Sequence, residues 1–504
     1  MKPLTYLLHG FVFAFGSAII FYGTVVNINI FISPADIIPL VVFSVIAFFA
    51  FVLVAYLLTH SLDTAGLIAS LFVLGFFYLW SVFLVVVIAT LMGLVAVKVL
   101  FKRVKNADTH LMLNAVSIAV VGYYLFGFIT MNSGTPWASA PKVIQPIDGV
   151  PVAIPSQAAP PDIYYIILDG YGRADMLQAI HGFDNSMFVD ALEQRGFVVA
   201  SDSQSNYART PLSLSSSLNM QYLDTMSSAM GDSDLWWPVV DAMQHSEVRR
   251  ILENRGYRTI FFANNGHYSE IRDGDFYEAP FPIQLDIFSG LFVSQTNLHL
   301  LAEIDQLGIA EASYDTHRRT ILYTFERLPE VATIKGAKYV FAHVIAPHPP
   351  YVFDRVGNPL DPPYPYTLSV ESRAGYIDQL QFINRLVLAA VDGILANSAS
   401  PPIIVIQGDH GPGTQTDHNS LENSCLYERF SILNAYHLPG VEKASIPMDL
   451  TPVNSFRFIF NHYFHSDLEL LPNRQYFSTS THFYEFIDVS SKTQEMCNLN
   501  SSAK

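Results

Sequence analysis

The first 131 residues are built from long apolar stretches free of Asp, Glu, Lys and Arg, and nothing else constrains the fold as strongly. Tyr6–Val26 and Ile37–Leu58 each reach the roughly 20 residues a helix needs to cross a bilayer. Ala65–Val97 continues well past one crossing, with no strong turn signal beyond Trp80–Ser81, and reads as a tight hairpin of two spans. Leu111–Met131 is the last span, so the expected anchor, residues 1–131, has five. Lys and Arg are retained on the cytoplasmic side of short loops. Four crossings separate Lys2 from Lys98, Lys102, Arg103 and Lys105, which places both inside, and the fifth span delivers everything after Asn132 to the outside. A single tilted helix over Ala65–Val97 would put the basic cluster outside, against that bias. Tyr6–Val26 is of span length and lacks a small-residue cleavage site, which argues against a signal peptide. With so little that is ionisable inside the spans, the reading that they are only an anchor stays open.

A chain of 504 residues exceeds what one core organises. The mean hydropathy of +0.29 hides a gradient, because Asp, Glu, Asn, His and Pro accumulate after Met131. The formal charge is -16, from 28 Lys+Arg against 44 Asp+Glu, and this leaves no broad basic surface for a nucleic acid backbone. Cys425 and Cys497 fit neither a zinc cluster nor a disulfide framework, and whether they pair is open. Residues 132–161, rich in Pro, Ala, Ser and Gly, suit an extended tether. A folded domain over 162–490 and a tail over 491–504 complete the expected organisation.

Asp162–Leu168 (DIYYIIL) has the continuous apolar character of a strand buried on both faces. Helical patterning at Ser186–Gln194 leads to a strand near Phe197–Ala200, and Glu247–Asn254 leads to Tyr257–Phe262. Arg318–Leu328 precedes Lys338–Ile345, and Ile377–Ala396 precedes Ile403–Gln407. Strands alternating with helices predict a largely parallel α/β sheet covered on both faces. In such sheets polar chemistry collects beyond the carboxyl ends of the strands. Asp169, the pair His343 and His348, and Asp409-His410 all stand at such ends.

Two carboxylates and an imidazole, Asp169, Asp409 and His410, make a sensible shell for one divalent metal, zinc or manganese before magnesium. Taken singly, each is weak, since an Asp that ends a strand is usually a turn or cap residue. Thr210 precedes Pro211, so Pro211 fits a first helical turn with Thr210 as its N-cap. A hydroxyl there, near a metal and a helix N-terminus, is also a candidate nucleophile. Capping alone remains the simpler use of Thr210. Asp417 and His418 are candidates for a second ligand set, and His343, within a strand, is equally a buried structural residue.

In this order, ILDGYGR, ARTPLSL, HPPY and GDHG resemble the alkaline phosphatase superfamily, in its sulfatase-like hydrolase/transferase branch. That branch includes lipoteichoic acid synthases and lipid A phosphoethanolamine transferases. The resemblance runs from about Asp162 to His410 and more diffusely to about Phe464. It implies an alkaline-phosphatase-like domain in which Asp169, Thr210, Asp409 and His410 bind one divalent metal. It further implies that Thr210 is the covalent nucleophile and that His348 faces the substrate phosphate or leaving group. His343, Arg173 and Asn206 complete the expected substrate contacts. Thr210-Pro211-Leu212-Ser213-Leu214 lacks the Cys or Ser, Pro and Arg spacing of a formylglycine sulfatase, so true sulfatase chemistry is disfavoured. The expected activity moves a phospho-head-group from a phospholipid donor to an envelope lipid or glycan, outside a bacterial-type plasma (inner) membrane. The alternatives are a membrane-tethered phosphodiesterase or phosphatase and, from another class, a non-catalytic binding or assembly module.

Overall fold

The computed structural model describes residues 4–25, 37–77, 106–134, 144–147, 160–233, 236–264, 269–280, 309–364 and 372–497. The chain divides into two compact units, residues 1–141 with 285–312, and 142–284 with 313–504.

The first unit contains α1 (Leu4–Val25), α2 (Ile37–Thr59), α3 (Leu62–Phe77) and α4 (Asn106–Gly134). Phe13, Phe21, Phe48, Val73, Phe77 and Val121 pack into its core. The outer face of α2 leaves Ile38, Val42, Ile46, Leu53 and Leu57 exposed, so this helix is apolar all round, as a lipid-facing helix must be. Gly66 lets α1 and α3 touch, since a Cβ there would lie 2.2 Å from the carbonyl oxygen of Tyr6. Among the described residues, two helices are long and apolar enough to cross a membrane, α2 and Ser372–Asn397. The latter belongs to the second unit and buries Leu380, Ile383, Val387 and Val391 in its core. α3, which starts at Leu62 after the turn at His60-Ser61, covers the first half of the hairpin expected in Ala65–Val97. The turn expected at Trp80–Ser81 lies outside the described residues. The second half of that hairpin lies outside the described residues.

The second unit is organised by a seven-stranded sheet of order β2-β9-β8-β1-β5-β3-β4. Its strands are β1 (Ile163–Leu168), β2 (Val198–Val199), β3 (Arg258–Phe262), β4 (Phe276–Glu278), β5 (Lys338–Val344), β8 (Ile403–Gln407) and β9 (Asn434–His437). The hairpin β6 (Tyr351–Phe353) and β7 (Pro359–Tyr364) and the pair β10 (Tyr476–Phe477) and β11 (Ile487–Asp488) lie apart from it. The five strands from β8 to β4 run parallel, and β9 turns the edge antiparallel. All six residues of the central β1 are buried, so its uninterrupted apolar sequence is what a doubly covered strand requires.

Of the helices, α5 (Ser186–Gln194) and α7 (Glu247–Glu253) lie where the patterning predicts. The other two foreseen are longer than predicted, α8 (Ile309–Val331) and α9 (Ser372–Asn397). On one face Ile321, Phe325, Val387 and Val391 of α8 and α9 meet Tyr164, Ile166 and Leu168. The other face carries α6 (Thr210–Asn219) and α11 (Pro452–Tyr463). There Tyr165 meets Phe456 edge-on at 5.1 Å and donates to Ser217 Oγ at 3.1 Å. The tether and tail are partly fastened to this unit. Ile147 N–H donates to Glu247, Thr493 is buried against Gln204, and Cys497 forms a disulfide with Cys425.

Candidate active site

Register within the parallel sheet brings the polar residues together. β1 lies between β5 and β8, with Leu168 beside Val344 and Ile167 beside Gln407, so all three strands end at the same edge. Asp169 N–H donates to the Val344 carbonyl, His348 N–H donates to the Asp169 carbonyl, and Gly170 N–H donates to Asp409 Oδ1 at 3.0 Å. The backbone itself thus fixes the distance between the segment after β1 and those after β5 and β8.

α6 supplies the hydroxyl. Arg209 occupies the N-cap position in an extended conformation and no side chain caps the helix. The expected capping role of Thr210 is therefore corrected, since its Oγ1 lies 3.0 Å from His410 Nε2. Ser213, one turn on, donates with Ser205 to the Asp409 carbonyl, each at 2.6 Å, which ties α6 to the loop that carries both metal-site candidates.

His410 Nδ1 lies 3.0 Å from the Gly411 carbonyl and donates to it, leaving the lone pair of Nε2 directed inward. It lies 3.2 Å from Asp409 Oδ2 and 3.8 Å from Asp169 Oδ1. Those two oxygens are buried and accept no hydrogen bond. Asp169 Oδ1, Asp409 Oδ2, an imidazole lone pair and a hydroxyl oxygen thus converge, while Gly170 N–H and His343 serve the other oxygen of each carboxylate. Such a set fits a divalent cation, which would be held by Asp169, Thr210, Asp409 and His410.

Charge within the cluster follows from burial and proximity. Burial opposes ionisation of Asp169, but the nearby imidazole of His348 and a hydrogen bond from His343 outweigh it and hold its carboxyl well below the usual carboxylate range. Asp409 is pushed up to about 6 by burial and by the negative charge of Asp169. His410 is kept neutral by burial and by the Arg429 guanidinium.

Of the other expected residues, His348 lines the cleft above the cluster, with Gly170, Tyr351, Tyr376, His410, His418 and Arg429. His343 lies behind it, its Nε2 3.3 Å from Asp169 Oδ2 and its Nδ1 3.4 Å from the Asn264 amide. The structure does not bring Arg173 or Asn206 into the cleft. Arg173 forms a fork with Asp175 and donates to the Ser203 carbonyl. Asn206 binds the Arg474 carbonyl and the Val453 N–H. Both hold loops together, a role that short sequence motifs do not reveal. His418 reaches the cleft, while Asp417 accepts from Asn419 N–H in its own turn. Burial, with Arg429 and Arg209, pushes the imidazole of His418 down to about 3.

Sequence reasoning missed Arg429 and Glu428. Arg429 donates to the Ala208 carbonyl at 2.7 Å and the Gly411 carbonyl at 3.1 Å, bridging the segment before Thr210 to the one after His410. The spacing of Thr210 and Ser213 was a signal for Ser213, because residues three apart share a helix face. No local pattern marks Arg429.

No protein-family model and no curated protein sequence matches this chain. Among solved structures, it is similar to the C-terminal periplasmic domain of EptC from Escherichia coli in complex with zinc. The TM-score is 0.42 at 11% identity, over 66% of this chain and 93% of that one. It is also similar to the integral membrane protein lipooligosaccharide phosphoethanolamine transferase A of Neisseria meningitidis. There the TM-score is 0.37 at 12% identity, over 90% of this chain and 95% of that one. A 2-O GAG sulfatase gives a TM-score of 0.37 at 15% identity, over 62% and 72%.

Proposed function

We propose that this chain is a metal-dependent phosphotransferase of the sulfatase-like branch of the alkaline phosphatase superfamily, held in a bacterial-type plasma membrane by its apolar helices. In this reading it moves a phospho-head-group from a phospholipid donor to an envelope lipid or glycan on the outer side. The observation that carries the proposal is Thr210 Oγ1 at 3.0 Å from His410 Nε2, beside two buried carboxylate oxygens that lack partners.

A divalent cation held by Asp169, Thr210, Asp409 and His410 would supply the positive charge that lets a threonine oxygen react as an alkoxide. Thr210 Oγ1 forms a bond to phosphorus while the bond to the departing alcohol breaks, leaving a phosphothreonine diester. His348, whose Nδ1 is 2.6 Å from the Pro349 carbonyl, lines the cleft. It gives a proton to the departing alcohol and later takes one from the acceptor hydroxyl. The outer side follows from the basic cluster Lys98–Lys105 and the five-span count. A donor already in the bilayer reaches an anchored site by lateral diffusion, which favours transfer between membrane substrates.

The test is peptide mass mapping of the full-length protein in detergent after incubation with native lipids. A head-group adduct on Thr210 is expected, its mass naming the transferred group, and Thr210→Ala should carry none and lose activity by at least about a thousandfold. Release of free head group without an acceptor product would make the protein a phosphodiesterase. Unmodified Thr210 with every lipid would sink the covalent route, and full function of Thr210→Ala would point to a binding module.

A further inference from the structure

The helical unit contains a second polar site, remote in sequence from the cluster described above. His9 of α1 and His110 of α4 are both fully buried, and Ser70 of α3 is 2% exposed. Ser70 Oγ lies 2.6 Å from His9 Nδ1, His9 Nε2 lies 2.8 Å from His110 Nδ1, and His110 Nε2 contacts Asp63 Oδ1. Asp63, in the first turn of α3, is the partly exposed end, its side chain 23% accessible. Ser70 Oγ also donates to the Gly66 carbonyl at 2.8 Å. The close fit of α1 on α3 sets this geometry, since a Cβ on Gly10 would lie 2.3 Å from Ser70 Oγ.

Counting hydrogens decides the state of the array. These four contacts need four hydrogens, one for each. The serine hydroxyl and two neutral imidazoles carry three. The observed geometry therefore holds one proton more than a serine, two neutral histidines and an ionised aspartate can provide. Asp63 has further contacts of its own.

We propose that Asp63, His110, His9 and Ser70 form a proton-binding relay in the helical unit, entered from Asp63. With the proton bound, the array is electrically neutral. His9 then carries hydrogen on Nδ1, and Ser70 is free to satisfy Gly66. When the proton leaves to water, Ser70 turns its hydroxyl to His9 Nδ1, and each imidazole carries its hydrogen on Nε2. Asp63 is then ionised, so the net charge is -1 and the Gly66 carbonyl loses its donor. Release thus breaks a bond within α3 and leaves a charge among three packed helices, an expensive outcome in an apolar medium. Among the described residues, the other titratable groups of these helices are few. Tyr6 sets its ring, tilted, 4.9 Å from that of His110, while Asp108 on α4, and Tyr56 and His60 at the end of α2, are exposed. In this proposal the helices do more than anchor.

Nitrogen NMR of the full chain in lipid nanodiscs, labelled with ¹⁵N-histidine and assigned with His9→Gln, reads the His9 tautomer directly. Near pH 7 the hydrogen is expected on Nδ1, moving to Nε2 as the pH is raised to about 10. Asp63→Asn, whose amide donates to His110 without an added proton, should keep His9 as the Nδ1–H form throughout. Hydrogen on His9 Nε2 near neutrality would overturn the proposal, as would a tautomer unchanged by alkali in the wild-type chain. The wild-type spectrum decides the matter even if the variant does not fold.

Discussion

His317, on α8, is only 9% exposed, and burial first, then the nearby imidazole of His348, push its pKa down to about 4. In the unfolded chain the same side chain takes up its proton near 6.5. Between those values the unfolded state binds a proton that the folded state refuses. Stability is therefore full above about 6.5 and is lost as the pH falls towards 4. From pH 6.5 to 5 the loss from this one residue is at most about 2 kcal/mol. His317→Gln should flatten that part of the profile, measured as the urea midpoint of the full chain in detergent against pH. An equal acid sensitivity in the variant would show that other groups govern it. Thr210 shows what the sequence can and cannot say about single residues. Its place before Pro211 announces a helix start, but a capping hydroxyl and a nucleophilic one have the same local sequence. Only the arrival of His410 from a segment 200 positions away distinguishes them. For Arg173 and Asn206 the same blindness acts in reverse, because their partners Ser203, Val453 and Arg474 are set by loop packing that no motif encodes.

At the scale of elements, the short helix α10 (Leu426–Phe430) has an influence out of proportion to its five residues. Every residue in it is buried, and Cys425, at its N-cap, is joined to Cys497 with 5.5 Å between the Cα atoms. Glu428 accepts from the Thr414 hydroxyl and from Gln415 N–H, and lies 3.1 Å from His181 Nε2. Its neighbour Arg429 holds the Ala208 and Gly411 carbonyls. The pair therefore sets the loop that follows His410, including Thr414 and His418, as well as the approach to Thr210. Glu428→Ala would strand the buried Thr414 hydroxyl and His181 imidazole, each at a cost of about 1–3 kcal/mol, and leave the part-buried Gln415 N–H without its acceptor. Thermal unfolding of the variant should show a clear loss of stability, and the rate with saturating substrate should fall even at temperatures where the protein remains folded. A variant with wild-type stability would refute this account. Elements of this kind escape sequence reading for a physical reason. β1, β5 and β8 are legible because burial on both faces demands unbroken apolar runs, and α5 because its apolar positions recur at helical spacing. The five-residue α10, the three-residue β4 and the antiparallel β9 are too short to express a period, and their places are fixed by partners distant in the chain.

For the whole molecule the relevant fact is that each unit has its own apolar core, Phe13, Phe48 and Val73 in one and Ile166, Phe325 and Val387 in the other. Two cores allow two cooperative transitions, and the proposed metal ligands Asp169, Thr210, Asp409 and His410 all belong to the second unit. A cation bound only by the folded form adds RT ln(1 + [L]/Kd) to stability, about 4 kcal/mol at a thousand times Kd. In a domain of this size each kcal/mol moves the midpoint by about 2–4 °C or less, so chelation should lower one transition by up to roughly 10 °C. The transition of the helical unit should not move, because none of those ligands lies within it. Calorimetry of the full chain in detergent, before and after a strong chelator and again with zinc or manganese restored, separates the two. Activity should disappear and return together with the metal-sensitive transition. Asp409→Asn removes one of the two carboxylate oxygens that lack partners and relieves the burial cost and the repulsion from Asp169 that push Asp409 up to about 6. That variant should therefore be no less stable than the wild type without metal, yet gain little when metal is added. A chelator that shifted both transitions equally, or neither, would contradict the assignment of a cation to this cluster.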